Sequence, residues 1–210
     1  MRRIHLGQLK GLGFSVFTFD PEDARQYGLT LTQQVYRQVD AYRRDAPADW
    51  DIYFLGQDKH RFETLRTLAE QWHGMGLRTC LRMVPEPGQT YPQVPGLEVL
   101  AQSIDYPSNI DSINRARCLL EITHANKSGL SVRCLEALFF EKNLITNNPC
   151  VQTLPFYNPA RFFILGQDDP QALTAFLQAP MPPLPKGALQ PYDFAHWVRQ
   201  FDHITAPARA

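Results

Sequence analysis

Cys118-Leu119-Leu120-Glu121-Ile122 leads, through a polar loop, into Lys127-Ser128-Gly129-Leu130-Ser131-Val132-Arg133-Cys134-Leu135-Glu136-Ala137-Leu138-Phe139-Phe140-Glu141, and then into Leu144-Ile145-Thr146. The first run is apolar and of strand length. The loop with its single glycine precedes a helix expected from about Ser131 to Glu141, and a second short apolar run closes the segment. Strand, helix and strand in that order make a βαβ unit, the building block of a parallel sheet.

On that helix Val132, Leu135, Leu138 and Phe139 recur at three- and four-residue spacing and are expected to face the sheet, while Arg133, Glu136 and Phe140 share another face. Arg133 falls in the first turn, where a cation opposes the partial positive charge of the helix N-terminus at a cost of about 0.3–1 kcal/mol. Two readings stay open. An anion such as phosphate could approach and satisfy both the guanidinium and the free N–H groups. Alternatively, Arg133 pairs with Glu136 one turn on, across an exposed face.

Working outward, Trp50-Asp51-Ile52-Tyr53-Phe54-Leu55-Gly56 reads as a buried strand, Asp58 as the cap of a helix running to about Gly74, and Arg78 to Val84 as the next strand, giving a second βαβ unit. The helix core stripe is expected at Phe62, Leu65, Leu68 and Ala69. Between strand and helix lie Gln57-Asp58-Lys59-His60-Arg61, where ligands bind in open parallel sheets, although Lys59 and Arg61 read equally well as solvated helix surface. Phe14 to Phe19 is expected to be a first strand, followed by a helix with Pro21 at its first position and Gly28 at its close. The segment from Leu29 to Ala46 is ambiguous. Pro85 to Gly96 carries four of the 17 prolines and reads as a surface loop. Leu97 to Ile104 is expected to be a strand, Tyr106 to Arg115 a short helix, Arg161 to Leu165 a strand, and Tyr192 to Ile204 a last helix with Phe194, Trp197, Val198 and Phe201 on its apolar side.

These patterns predict an α/β fold, a Rossmann-like three-layer sandwich with a mainly parallel sheet. The 210 residues are expected to form a single domain, 1–210, in which 180–210 is a proline-rich crossing and C-terminal helix. Twenty-one basic and twenty-one acidic side chains balance, so there is no bulk field for nucleic acid or an anionic membrane surface, and any anion must be bound locally. Cys80, Cys118, Cys134 and Cys150 form no C-x-x-C and read as reduced, mainly buried thiols, which suggests a cytoplasmic protein. The histidines show no paired metal spacing, and no metal or cofactor is expected. No apolar run approaches the roughly 20 residues of a membrane span. A reductase or phosphatase reading lacks support, because no G-x-G-x-x-G follows a predicted strand and no nucleophile sits in a recognisable phosphatase motif.

Ser128-Gly129-Leu130-Ser131-Val132-Arg133, followed by Leu135-Glu136-Ala137-Leu138, Lys142 and Leu144-Ile145-Thr146-Asn147, resembles the nucleotide-sugar site of glycosyltransferases with the two-Rossmann (GT-B) architecture. More narrowly, it is similar to bacterial glycosyltransferase-like proteins of lipopolysaccharide and capsule biosynthesis. Phe17 to Ala24 and Phe54 to Lys59 resemble their counterparts in that group, so the likeness runs over most of the chain from about Phe14. It implies a nucleotide-sugar donor, a glycan or lipid-linked acceptor, and a place in the cytoplasm or at the inner face of the membrane. It also implies a substrate-binding set. Glu136 matches the second glutamate of the family's E-x7-E motif, which holds the donor ribose; Ser128 stands where the first glutamate would be. The N–H groups of Gly129 to Ser131, together with Arg133, would hold the diphosphate, and Lys59 and Arg61 match by position the basic residues that assist. His124 is placed to orient the sugar or a phosphate, or is structural. The length matches one half of such an enzyme, the C-terminal donor-binding half, which implies a partner chain or homo-oligomer, or a non-catalytic nucleotide- or glycan-binding domain.

Overall fold

The computed structural model of the chain describes residues 5–37, 40–44, 46–123 and 129–201. The chain opens on a short helix, α1 (Leu6–Gly11), then β1 (Phe17–Thr18), α2 (Pro21–Tyr27) and β2 (Thr30–Leu31). The strands β1 and β2 pair in parallel as a small sheet of their own. The strand expected over Phe14 to Phe19 is therefore realised only at its centre and lies outside the main sheet. Its ends bury nothing, since Phe14 and Phe19 are both exposed. The helix after it forms as the residues dictate: Asp20 Oδ1 accepts from the Glu22 and Asp23 N–H groups at 2.9 and 3.3 Å, Pro21 occupies the first turn, and Gly28 closes the helix.

The main unit follows in chain order: β3 (Trp50–Gln57), α3 (Phe62–Gly74), β4 (Thr79–Val84), β5 (Leu97–Val99), α4 (Tyr106–Asn114), β6 (Ala116–Glu121), α5 (Val132–Phe139), β7 (Asn143–Thr146), β8 (Phe162–Ile164) and α6 (Leu173–Gln178). Its six strands lie in the order β5-β4-β3-β6-β7-β8, and every neighbouring pair is parallel. The strand expected from Leu97 to Ile104 stops at Val99. The chain then turns so that Asp105 can cap α4 by accepting the Ser108 N–H at 2.9 Å.

Side chains alternate between the two faces of the sheet, and each face has its own helices. Tyr53, Leu119, Leu144 and Phe162 pack against Ile110 and Ile113 of α4 and Leu135 and Leu138 of α5. Ile52, Phe54, Leu81, Leu120, Ile145 and Phe163 pack against Phe62, Leu65, Ala69 and Trp72 of α3 and Leu173 and Leu177 of α6. The result is a Rossmann-like α/β sandwich of three layers. Cys80, Cys118 and Cys134 are buried free thiols, and burial raises all three above the ordinary thiol range.

The last helix departs from expectation. Only α7 (Phe194–Trp197) is α-helical, continued by a 3₁₀ turn to Phe201, and residues 202–204 lie outside the described residues. It packs on the small sheet rather than the main one: the Phe201 ring meets Phe17 edge-on at 5.0 Å, and Trp197 Nε1 donates to Thr32 Oγ1 at 2.9 Å.

Candidate functional site

The strand order reverses between β3 and β6, and the two strands part there. Their pairing ends at Tyr53 and Leu119, whereas β3 stays paired with β4 as far as Gln57 and Val84. Strands that diverge leave backbone carbonyls without a ladder partner, and a buried one must be satisfied otherwise. Two arginines do this from opposite layers. Arg133, in the first turn of α5, donates from Nη2 to Leu55 O at 3.1 Å and lies over the Tyr53 ring, 5.6 Å from its centroid. Arg61, just ahead of α3, donates from Nη1 to Ile122 O at 2.9 Å and from Nε to Asp58 O at 3.1 Å, and lies over the Phe54 ring at 5.6 Å. Because Tyr53 and Phe54 are consecutive on a strand, their rings face opposite layers, and each layer's arginine finds one. Burial lowers the Arg61 guanidinium from its usual value, against the pull of Asp58.

Between the parted strands lies a cleft of about 300 Å³, lined by Leu55, Gly56, Arg61, Glu121, Thr123, Ser131, Arg133 and Glu136 among others. In open parallel sheets such a switch point is the ligand crevice. The N-terminus of α5 opens onto it. Ser131 caps that helix, its Oγ accepting the Cys134 N–H at 3.2 Å. Gly129 lies against the small sheet unit, where a Cβ would come within 2.7 Å of Phe19 O, so only glycine lets the loop approach so closely.

Of the two readings left open, that of a pair across an exposed face is corrected in one respect, because that face is buried. The two do pair, Nη1 to Oε2 at 2.8 Å, but their side chains are 14% and 3% exposed. Val132, expected to face the sheet, is instead 45% exposed. The cause is a layer that periodicity could not show. Glu136 Oε1 accepts from Asn109 Nδ2 of α4 at 3.2 Å, Asn109 Oδ1 accepts from the Tyr53 hydroxyl at 3.0 Å, and Phe140 packs edge-on to Tyr36. Burial pushes the Tyr53 phenol up to about 12.

Of the other sequence-derived candidates, Lys59 is exposed and stands outside the cleft lining, in a loop where Lys59 and His60 both take positive φ, 43° and 64°. Ser128 and His124 lie outside the described residues. Sequence reasoning passed over Glu121. It is 3% exposed, sits at the carboxyl end of β6, and accepts the hydroxyls of both Ser131 and Thr146. Its burial raises the carboxyl above the ordinary range, against those two hydrogen bonds and Arg133. The signal was a single carboxylate within the otherwise apolar run Cys118 to Ile122.

No protein-family model and no curated protein matches the sequence. Among solved structures, the chain is similar to that of AviGT4, a glycosyltransferase involved in avilamycin A biosynthesis, with a TM-score of 0.56 and 14% identity over 90% of this chain. The fold is glycosyltransferase-like. The likeness covers 63% of the AviGT4 chain, so the present chain spans less than two thirds of that enzyme's length. Among the described residues, no helix is long and apolar enough to cross a membrane.

Proposed function

We propose that the chain binds a nucleotide-activated sugar in the switch-point cleft and serves its transfer to a cell-surface glycan, in lipopolysaccharide, capsule or exopolysaccharide synthesis. One observation carries this reading: Arg61, Arg133 and the N-terminus of α5 converge on one cleft at the strand ends of a glycosyltransferase-like fold. A guanidinium has five N–H donors, and those of Arg133 are not exhausted by Leu55 O and Glu136, so a diphosphate can be held beside the free N–H groups of the first turn. Charge developing on the leaving diphosphate would be stabilised by the same donors. Glu136 takes the ribose, the diol sharing its carboxylate with Arg133 and Asn109. Lys59, exposed and outside the cleft lining, would have to reach in from its loop to assist with the phosphates.

A second reading rests on length. Because the likeness covers only 63% of the AviGT4 chain, this chain can be the donor-binding part of an assembly, or a nucleotide- or glycan-binding domain that acts with a partner chain or a second copy. A thermal-shift screen against UDP-, GDP-, ADP-, CMP- and TDP-linked sugars tests the donor site. One of these should stabilise the protein in a concentration-dependent way, as any ligand selective for the native state must. If none shifts the melting temperature at millimolar concentration, the reading fails.

A further inference from the structure

The donor reading leaves one buried carboxyl group without a task. Glu121 lines the cleft and holds the Ser131 hydroxyl, yet no bond to the diphosphate or the ribose is assigned to it, and its carboxyl is the origin of two hydrogen-bond chains. The first runs through the Ser131 hydroxyl, whose oxygen accepts the Cys134 N–H and so enters the first turn of α5. The second runs through Thr146, its direct partner across β6 and β7; Thr146 Oγ1 accepts the Asn148 N–H at 2.9 Å, and Asn148 Nδ2 donates to Gly129 O at 3.4 Å. The three residues that enter the helix, 129–131, are therefore held at both ends by one carboxylate. A carboxylate is suited to this because it accepts at both oxygens, and it reaches its two hydroxyl donors without exposing itself.

We propose that Glu121 is a positioning residue: it holds residues 129–131 in the conformation that presents the α5 N-terminus and Arg133 to the cleft. This rests on the donor reading given above. Removing the carboxylate leaves Ser131 and Thr146 without their acceptor and frees the loop, although no contact to the ligand is lost. The site's affinity for a nucleoside diphosphate then depends on a side chain to which no bond to the ligand is assigned.

The test compares Glu121→Ala, Glu121→Gln and Thr146→Val with the unaltered chain by hydrogen exchange of the free protein and by calorimetric titration with UDP, GDP, ADP, CDP and TDP. In Glu121→Ala, amides 129–135 should exchange at least tenfold faster while those of β4 keep their protection. Affinity for the diphosphate should fall roughly tenfold, about 1.4 kcal/mol, with affinity for the corresponding nucleoside changed less than twofold. Glu121→Gln, which keeps one acceptor oxygen, should recover part of both effects, and Thr146→Val, which breaks only one of the two chains, should show both effects at smaller size. Unchanged exchange over 129–135 in a folded Glu121→Ala overturns the proposal, as does a loosened loop with undiminished diphosphate affinity. Should Glu121→Ala fail to fold, the same two outcomes are read from the Gln and Val variants. If the unaltered chain binds none of the five diphosphates, it is the donor reading that fails, and the exchange data alone decide whether Glu121 holds the loop.

Discussion

Arg133 has two tasks that pull on one guanidinium. It closes the gap left by parting strands, and in the proposed function it also receives an anion. Arg133→Ala should weaken a nucleoside diphosphate by about 1.5–3 kcal/mol and the bare nucleoside far less, because the lost bonds are charge-assisted and directed to phosphate. Paired titrations check this, and equal losses for the two ligands would remove Arg133 from the phosphate site. The burial of its partner adds a stability effect that an exposed pair would not have. Glu136→Gln strips the charge from a carboxylate that neutralises a mostly buried cation, so it should cost about 1.5–3 kcal/mol in urea unfolding as well as affinity for ribose ligands. A ligand with a 2′,3′-dideoxy sugar should lose less than the ribose ligand, since it has no diol to offer Glu136. The pairing of Arg133 with Glu136 was legible from three-residue spacing. Its burial was not, because Asn109 and Tyr36 come from elements far along the chain and only the fold brings them over that face.

At the scale of elements, α5 and the loop before it decide the site's shape, and here the sequence was most informative. Apolar periodicity placed α5 within a residue or two at each end, and the run Leu144-Ile145-Thr146 could only be a short buried strand. The small sheet was the least legible part. Two-residue strands carry too little pattern to distinguish from a loop, and their pairing joins Phe17 to Thr30 across α2, a choice of register that no local signal encodes. That small unit nevertheless shapes the site, because Gly129 packs on it. Gly129→Ala would put a Cβ against the Phe19 carbonyl, a backbone atom that cannot swing aside. Such overpacking should cost about 1–3 kcal/mol of stability and, by pushing the loop off its position, lower diphosphate affinity also. Thermal unfolding and titration of the same variant measure the two, and a Gly129→Ala protein as stable as its parent would show that the loop has room the structure does not grant it.

For the whole molecule, size and surface point the same way. A cleft of about 300 Å³ lies at the small end of ligand sites and suits a diphosphate with its ribose better than an entire nucleotide sugar with an acceptor beside it. Leu12, 75% exposed, together with Phe14, Phe19, Leu31, Phe194 and Val198, also puts several large apolar side chains in solvent, in the stretch from α1 to β2 and in α7 with the 3₁₀ turn that continues it. The small unit adjoins the cleft through the contact of Phe19 with Gly129, so an exposed aromatic side chain stands beside the proposed donor site. A donor held on one open face leaves water free to compete with the acceptor and weakens electrostatic stabilisation of the leaving group. The purified chain is accordingly expected to bind its nucleotide sugar yet transfer it slowly, with turnover rising when a second protein surface, from a partner chain or another copy, covers the strand ends. Leu12→Glu with Phe14→Glu should leave donor affinity intact and abolish that rise. Rapid transfer by a monomer of this chain, verified by light scattering at the assay concentration, would show that the exposed apolar unit has no part in the reaction.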